Sequence, residues 1–153
     1  MKNNIFLIVI FTSLFFINCK SENQGSSDAK KSTSGAVKQL TADGFKKLVY
    51  NYDGSEEWKF EGDKPVIIDF YADWCAPCRQ LSPLVETIAE EYSGKIVVYK
   101  VDTDKEKLLA QSMGISALPT LLFIPAEGTP RASMGVISRE DMVKAINEVL
   151  LIK

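Results

Sequence analysis

Strand and helix patterns alternate along the chain from about residue 38 onward. The segment from Pro65 to Tyr71 is an almost unbroken apolar run with one carboxylate, which is typical of a buried strand. From Cys75 to Tyr92 the apolar residues recur at the spacing of one helix face, and Pro83 lies inside this predicted helix. The pattern predicts an α/β domain in which parallel strands are joined by crossover helices.

The remaining elements continue the alternation and close with an antiparallel hairpin and a helix. Thr41 is the predicted N-cap of the first helix, and Ser138 is the predicted N-cap of the last one. The other predicted elements are helices over 42–50 and 104–113, strands over 95–101, 120–124 and 131–136, and a final helix with Met142, Ile146, Val149 and Leu150 on one face.

The first residues differ in composition from the rest of the chain. Lys2 precedes an apolar run over 5–17, which is shorter than the ~20 residues that a membrane-crossing helix needs. This pattern is typical of a signal sequence. Cys19 follows directly, and the arrangement resembles a bacterial lipoprotein signal, which implies that residues 1–18 are removed and Cys19 is lipidated. Cleavage without lipidation and an uncleaved anchor are the alternatives, since Asn18 stands where a small residue is usual.

The next segment, residues 19–37, is predicted to be a flexible tether. It is rich in Ser, Lys, Gly, Asn and Gln and has almost nothing apolar to bury. A coil of this length spans roughly 25 Å, so the domain over residues 38–153 would stay close to a membrane surface. These parts together predict a periplasmic or otherwise extracytoplasmic protein that the lipid on Cys19 anchors to a membrane.

Composition excludes several classes of chemistry. The 153 residues include 18 Lys and Arg against 20 Asp and Glu, so no basic surplus favours nucleic-acid binding. The sequence has no histidine, which excludes Ser-His-Asp and Cys-His catalytic pairs and histidine-ligated metals within it. Carboxylates, lysines, hydroxyls and the cysteines Cys19, Cys75 and Cys78 remain. No metal or other cofactor is expected.

The motif Cys75-Ala76-Pro77-Cys78 stands where the first long strand passes into the first long helix. A cysteine at a helix N-terminus lies beside unpaired backbone N–H groups and the positive end of the helix dipole, which favour the thiolate. Cys78 follows by about one turn, close enough to bond to Cys75, and Pro77 suits a first helical turn. We therefore expect Cys75 to be the exposed nucleophile and Cys78 the resolving thiol. Half of a zinc site and a structural disulfide are the alternatives.

The stretch from Asp69 to Cys78 resembles the active-site sequence of thioredoxins. Pro83 and the later Leu118-Pro119-Thr120 stand at matching distances, and the resemblance extends from about Val37 to the C-terminus. It implies a thioredoxin fold, with a central mixed β-sheet flanked by helices. It also implies an enzyme that reduces protein disulfides through a redox-active disulfide between Cys75 and Cys78.

The same resemblance implies roles for residues around the cysteines. Pro119 would be a cis-proline that faces the disulfide, and the backbone of Leu118 would pair with an extended substrate. Trp74 would flank the site, although a core aromatic is the alternative; Gly135 would let the substrate backbone approach, although a turn glycine fits equally. The implied substrate-binding residues are Trp74, Ala76, Pro77, Leu118, Pro119 and Gly135.

Asp69 is the predicted proton acceptor for Cys78. A carboxylate among apolar strand residues is desolvated toward its neutral form, and such a group can take a proton from a buried thiol. Asp69 also matches the buried carboxylate of thioredoxins, and Lys100 matches the lysine that accompanies it. A solvated lysine at a sheet edge is the alternative for Lys100.

Two departures from the thioredoxin pattern stand out. Ala76 replaces the commoner glycine, so the reduction potential typical of thioredoxins cannot be assigned directly to this protein. Residues 51–64 form a longer and more polar connection than usual, in which Trp58 and Phe60 either pack on the domain or belong to a partner surface.

The direction of the reaction is predicted from the Ala-Pro pair between the cysteines. Strong oxidants of this fold often carry histidine there, so its absence favours a reductant. A disulfide oxidase or isomerase using the same site, and a peptide-binding assembly factor, are the alternatives. The expected partners of a monomeric reductant are disulfide-bonded extracytoplasmic proteins and a membrane thiol-electron donor that recharges it.

Overall fold

The structure is a computed structural model that describes residues 36–53 and 57–152. Residues 1–18, Cys19 and most of the predicted tether lie outside the described residues. The strands and helices are β1 (Lys38–Gln39), α1 (Ala42–Leu48), β2 (Val66–Tyr71), α2 (Ala76–Glu91), β3 (Val97–Asp102), α3 (Lys107–Ser112), β4 (Thr120–Ile124), β5 (Arg131–Met134) and α4 (Arg139–Val149).

The five strands form one mixed sheet in the order β1-β3-β2-β4-β5. β1 and β2 pair in parallel with β3, and α2 is the crossover between β2 and β3. β4 runs antiparallel to β2 and forms the expected antiparallel hairpin with β5. The predicted α/β class with a central mixed sheet is therefore confirmed. In this register Asp69 lies between Lys100 on β3 and Leu121 on β4.

Alternation along β2 divides the core between the two faces of the sheet. Ile67 packs with Leu81 and Ile88 of α2 and with α4, whereas Ile68 packs with Phe45 of α1 and with α3. Because side chains on a strand alternate between faces, Asp69 shares the α2 face with Ile67. This placement buries the carboxylate below the helix that begins at the cysteine motif.

Most helix ends follow the local sequence signals. The Thr41 hydroxyl accepts from the Gly44 amide at 3.2 Å, and the Ser138 hydroxyl accepts from the Asp141 amide at 3.1 Å. The predicted start of α3 at Asp104 is wrong, because the Asp102 carboxylate accepts from the Asp104 amide and bends the chain into a turn. The short strand β1 was missed because two exposed residues carry no alternating pattern.

The described part of the connection between α1 and β2 packs on the domain. The rings of Tyr50 and Trp58 lie 4.7 Å apart, and Trp58 and Phe60 both contact the α1-side core. The Glu61 amide donates to the Val49 carbonyl at 2.9 Å, which attaches the segment to the end of α1. Of the two alternatives for these aromatic residues, the structure favours packing over a partner surface.

Among the described residues, none of the helices combines the length and the apolar character that crossing a bilayer requires.

Candidate active site

The turn from β2 into α2 places the two cysteines in a disulfide at the sheet's edge. Cys75 is the N-cap of α2, and its extended backbone turns the chain into the helix. The Cys75 and Cys78 Cα atoms lie 5.3 Å apart, and Cys75 Sγ accepts from the Cys78 amide at 3.2 Å. Pro77 stands in the first helical turn, where a missing N–H costs nothing.

The two sulfurs differ in their access to substrate. Cys75 is 4% exposed and Cys78 is 2% exposed, so the expectation of an openly exposed Cys75 is wrong for this oxidised form. The disulfide and its neighbours cover both residues. Only Cys75 lines the adjacent groove of about 500 Å³, whose other walls include Trp74, Pro77, Ile115 and Leu118. An approaching disulfide therefore meets Cys75 first.

Trp74 lies on the surface beside this groove. Its side chain is 70% exposed, which excludes the core-aromatic alternative. The indole Nε1 donates to Asp104 Oδ2 at 2.8 Å. Asp104 was not among the predicted site residues. Its position just after β3, at the end of the sheet where β2 also ends, is the signal that could have pointed to it.

A second wall of the site comes from the loop before β4 and the end of β5. The Leu118–Pro119 peptide bond is cis, Pro119 is buried, and Leu118 packs against the cysteine pair. The Gly135 amide donates to the Pro119 carbonyl at 2.8 Å. Gly135 has a φ of +83°, a left-handed conformation that favours glycine. The antiparallel hairpin thus brings Leu118, Pro119 and Gly135 together, and Ala76 and Leu118 both line the groove.

Asp69 is a buried carboxylate with unusual proton affinity. It is 3% exposed, and its Oδ1 has no hydrogen-bond partner among the described residues. Burial raises its pKa from 3.8 to about 6, and the positive charge of Lys100 opposes this rise. A carboxylate that titrates near neutral pH is suited to exchange protons with a neighbouring thiol.

Lys100 faces Asp69 in register, but its ammonium is placed elsewhere. Nζ lies 4.8 Å from the centroid of the Tyr71 ring, and none of the ion pairs of the described residues joins it to Asp69. The described residues also contain no group of three His, Cys, Asp or Glu that could hold a metal ion.

The mixed sheet and the cysteine pair at a helix N-terminus define a thiol-disulfide oxidoreductase. The family model described as Thioredoxin matches residues 36–148. The chain is 44% identical to a thioredoxin of Borreliella burgdorferi over 109 residues, covering 71% of this chain and 93% of that protein. It is 34% identical to a thioredoxin of Porphyra purpurea over 115 residues, covering 75% and 98%. The chain belongs to the thioredoxin family.

Solved structures agree with this assignment. A thioredoxin of Malassezia sympodialis superposes with a TM-score of 0.61 at 33% identity, covering 74% of this chain and 90% of that one. Chloroplastic thioredoxin z superposes with a TM-score of 0.65, covering 76% and 96%, and at 24% identity it supports the fold alone. The thioredoxin fold expected from the sequence is confirmed.

Proposed function

We propose that this thioredoxin reduces protein disulfides outside the cytoplasm while a lipid on Cys19 tethers it to a membrane. The observation that carries the thiol-disulfide chemistry is the Cys75–Cys78 disulfide at the start of α2, of which only Cys75 lines the groove. The buried Asp69 lies on β2, the strand that leads into this turn. The tether is supported by the signal pattern before Cys19.

The reaction proceeds in two thiol-disulfide exchanges. In the reduced protein the Cys75 thiolate attacks one sulfur of the substrate disulfide, forms a mixed disulfide and releases the other substrate sulfur as a thiolate. Cys78 then gives its proton to the Asp69 carboxylate and attacks Cys75 Sγ. The second substrate sulfur leaves as a thiolate. Asp69 releases the proton it accepted, and this proton and one from solvent convert the two substrate thiolates into thiols. The substrate gains two electrons, and the Cys75–Cys78 disulfide is restored.

The groove favours protein disulfides as substrates. Its walls are mainly apolar. Outside the groove, Met134 and Val136 are exposed apolar side chains on either side of Gly135. An extended polypeptide would bury these side chains, whereas a small polar disulfide would leave them in water. The backbone of Leu118, beside the cysteines, offers the extended segment a pairing edge.

A trapping experiment tests the order of the two exchanges. The match to the Borreliella burgdorferi thioredoxin spans 93% of that protein, so a fragment of residues 20–153 contains a whole thioredoxin domain. In this fragment Cys78→Ser should accumulate covalent complexes with insulin or with denatured disulfide proteins on a non-reducing gel. Cys75→Ser should form none and should not reduce insulin. Complexes formed by Cys75→Ser alone would reverse the assigned roles.

The direction of electron flow is tested by the reduction potential of the Cys75–Cys78 couple against glutathione. A value near −270 mV, as in thioredoxins, supports a reductant, whereas a value near −120 mV would identify a disulfide-introducing oxidant. A reductant outside the cytoplasm consumes a dithiol at each turnover. The proposal therefore includes a membrane dithiol protein that returns the two electrons.

The tether is tested by growing bacteria that express the full chain with an alkyne-labelled fatty acid. The wild-type chain should carry the label and sediment with membranes, and Cys19→Ala should lose both properties. Equal labelling of Cys19→Ala would contradict lipidation at this residue. A label-free wild-type chain released from membranes would instead support cleavage without lipidation.

A further inference from the structure

The side chains of Asp69 and Lys100 are placed to form an ion pair that the structure does not contain. They are direct partners in the parallel register of β2 and β3 and therefore share one face of the sheet. Neighbouring strands lie about 4.8 Å apart, so the four-carbon stem of a lysine is long enough to reach the opposite carboxylate. The Lys100 ammonium is nevertheless directed at the ring of Tyr71, 4.8 Å from its centroid.

The position and contacts of Tyr71 allow its ring to hold the Lys100 ammonium. It follows Asp69 by two residues on β2, so its side chain stands on the same face. The Tyr71 hydroxyl donates to Gln39 Oε1 of β1 at 3.4 Å, which orients the ring across β3. The electron-rich face of an aromatic ring attracts a lysine ammonium. Meanwhile Asp69 Oδ1, which an ammonium would satisfy, is buried and has no hydrogen-bond partner in the part of the chain that the structure describes.

We propose that Tyr71 is a positioning residue for the resolving step: its ring holds the Lys100 ammonium away from Asp69, so that the carboxylate remains an effective base toward Cys78. The role in catalysis rests on the proposed function. An ion pair with Lys100 would favour the ionised carboxylate and weaken its affinity for the Cys78 proton. While it is held at the ring, the positive charge of Lys100 still opposes the rise in the pKa of Asp69, although the two groups form no ion pair.

The other groups around Asp69 define what a freed Lys100 could bind. β4 contributes the uncharged Leu121 opposite Asp69, and α2 contributes the Cys75–Cys78 disulfide, which does not titrate. The charged groups on the neighbouring elements are Lys100 and Asp102 on β3 and Arg79, Glu86, Glu90 and Glu91 on α2. Arg79 donates to the Asp73 carbonyl, and Glu91 is paired with Arg139. Asp102 is paired with Lys105 at 2.8 Å. Glu86 and Glu90 line a small groove with Lys100 and are the competing acceptors.

The test is an NMR titration of the Asp69 carboxyl carbon in the oxidised fragment of residues 20–153. The wild-type midpoint should lie near 6. Tyr71→Leu removes the ring and frees Lys100 to pair with Asp69, so the midpoint should fall by about one pH unit or more. Tyr71→Phe is the matched control, because it keeps the ring and removes only the hydroxyl; its midpoint should match the wild type. Tyr71→Met replaces the leucine variant if that variant does not fold.

A Lys100→Met background shows whether the effect passes through the lysine. There, Tyr71→Leu should leave the Asp69 midpoint where Lys100→Met alone puts it. An unchanged or higher midpoint in Tyr71→Leu, or an equal fall with and without Lys100, would overturn the proposal. A higher midpoint would mean that the freed ammonium moves to Glu86 or Glu90.

A kinetic readout connects the contact to the reaction. The rate at which a preformed mixed disulfide on Cys75 resolves should show a pH profile that Tyr71→Leu shifts and Tyr71→Phe does not. The titration needs no substrate, so it tests the positioning role even if insulin is not reduced. If the titration gives the expected result but the protein does not reduce insulin, only the proposed function is contradicted. If the protein reduces insulin but the Asp69 midpoint is the same in Tyr71→Leu as in the wild type, only the positioning role is contradicted.

Discussion

Trp74 and Asp104 are joined across the edge of the sheet that carries the disulfide, with the indole Nε1 2.8 Å from Asp104 Oδ2. Asp104 is itself held in place, because its amide donates to Asp102 Oδ1 at 3.0 Å. Asp102 is in turn paired with Lys105. The turn after β3 therefore orients an otherwise exposed aromatic side chain beside Cys75.

Removing this contact should weaken substrate binding and leave the chemistry intact. We expect Asp104→Ala to raise the KM for insulin reduction several-fold with kcat unchanged, because the indole loses its orientation but the cysteines do not move. Since Trp74 and Asp104 are both exposed, the free energy of unfolding should change by about 1 kcal/mol or less. Steady-state kinetics and chemical denaturation measure the two effects.

Asp104→Asn serves as the matched control, because its amide oxygen can still accept from the indole. It should retain a KM close to the wild type. An equal rise in KM in Asp104→Ala and Asp104→Asn would mean that the negative charge of Asp104, rather than its hydrogen bond, acts on the substrate.

Asp69 should make the protein less stable at neutral pH than in mild acid. Burial raises the pKa of Asp69 from 3.8 to about 6, so between these values the folded protein binds more protons than the unfolded chain. The free energy of unfolding therefore falls as the pH rises through this window and levels off above it. A shift of this size corresponds to about 3 kcal/mol at most.

Asp69→Asn removes the ionised form and should raise the free energy of unfolding at pH 7.5 by up to about 3 kcal/mol. At pH 3.5, where Asp69 is neutral in the folded protein, the gain should vanish. Denaturant titrations of the oxidised variants at both pH values measure this, and the exposed Asp73→Asn is the control. A gain that persists at pH 3.5 would assign the effect to packing instead of charge.

The aromatic packing of the segment before β2 should contribute to stability without contributing to activity. Trp58 contacts Tyr50 and packs against the core cluster on the α1 side, whereas the cysteines belong to another cluster. We expect Trp58→Ala to lower the free energy of unfolding by about 2 kcal/mol, less than for a fully buried aromatic residue, because Trp58 is half-buried. The kcat/KM for insulin should not change.

Lys59→Ala is the control for this segment, because Lys59 is exposed and its ion pair with Glu61 is a long one of 3.7 Å. It should alter the free energy of unfolding by less than about 0.5 kcal/mol. If Trp58→Ala kept the stability of the wild type but lost binding to a natural target, the segment would instead be a partner surface.

A histidine between the cysteines should make the protein more oxidising. In Pro77→His an imidazolium would stand in the first turn of α2, near the Cys75 sulfur, and would stabilise the thiolate of the reduced form. We expect the reduction potential to rise by about 30 mV or more, equivalent to about 1.4 kcal/mol. Pro77→Ser separates this charge effect from the loss of the proline ring, and an equal rise in both variants would exclude the charge effect.

Local sequence determined the starts of α1 and α4 and the reactive motif of this protein. Thr41 and Ser138 cap their helices because a side-chain oxygen and an amide a few residues away are enough to make the contact. The Cys75–Cys78 pair could be predicted for the same reason, since one helical turn joins its members. An apolar strand interrupted by Asp69 was likewise sufficient to predict a buried carboxylate of raised proton affinity.

The tertiary structure decided the contacts that depend on which strands become neighbours. The β4–β5 hairpin brings Pro119 and Gly135 together, and the antiparallel pairing of β4 with β2 sets this hairpin beside the strand that leads to the cysteines. The parallel register of β2 and β3 puts Lys100 opposite Asp69, and yet its ammonium lies over Tyr71. A lysine side chain is long enough to reach several partners. Burial and the position of the Tyr71 ring in the folded sheet select among these partners, and no local sequence pattern encodes either of them.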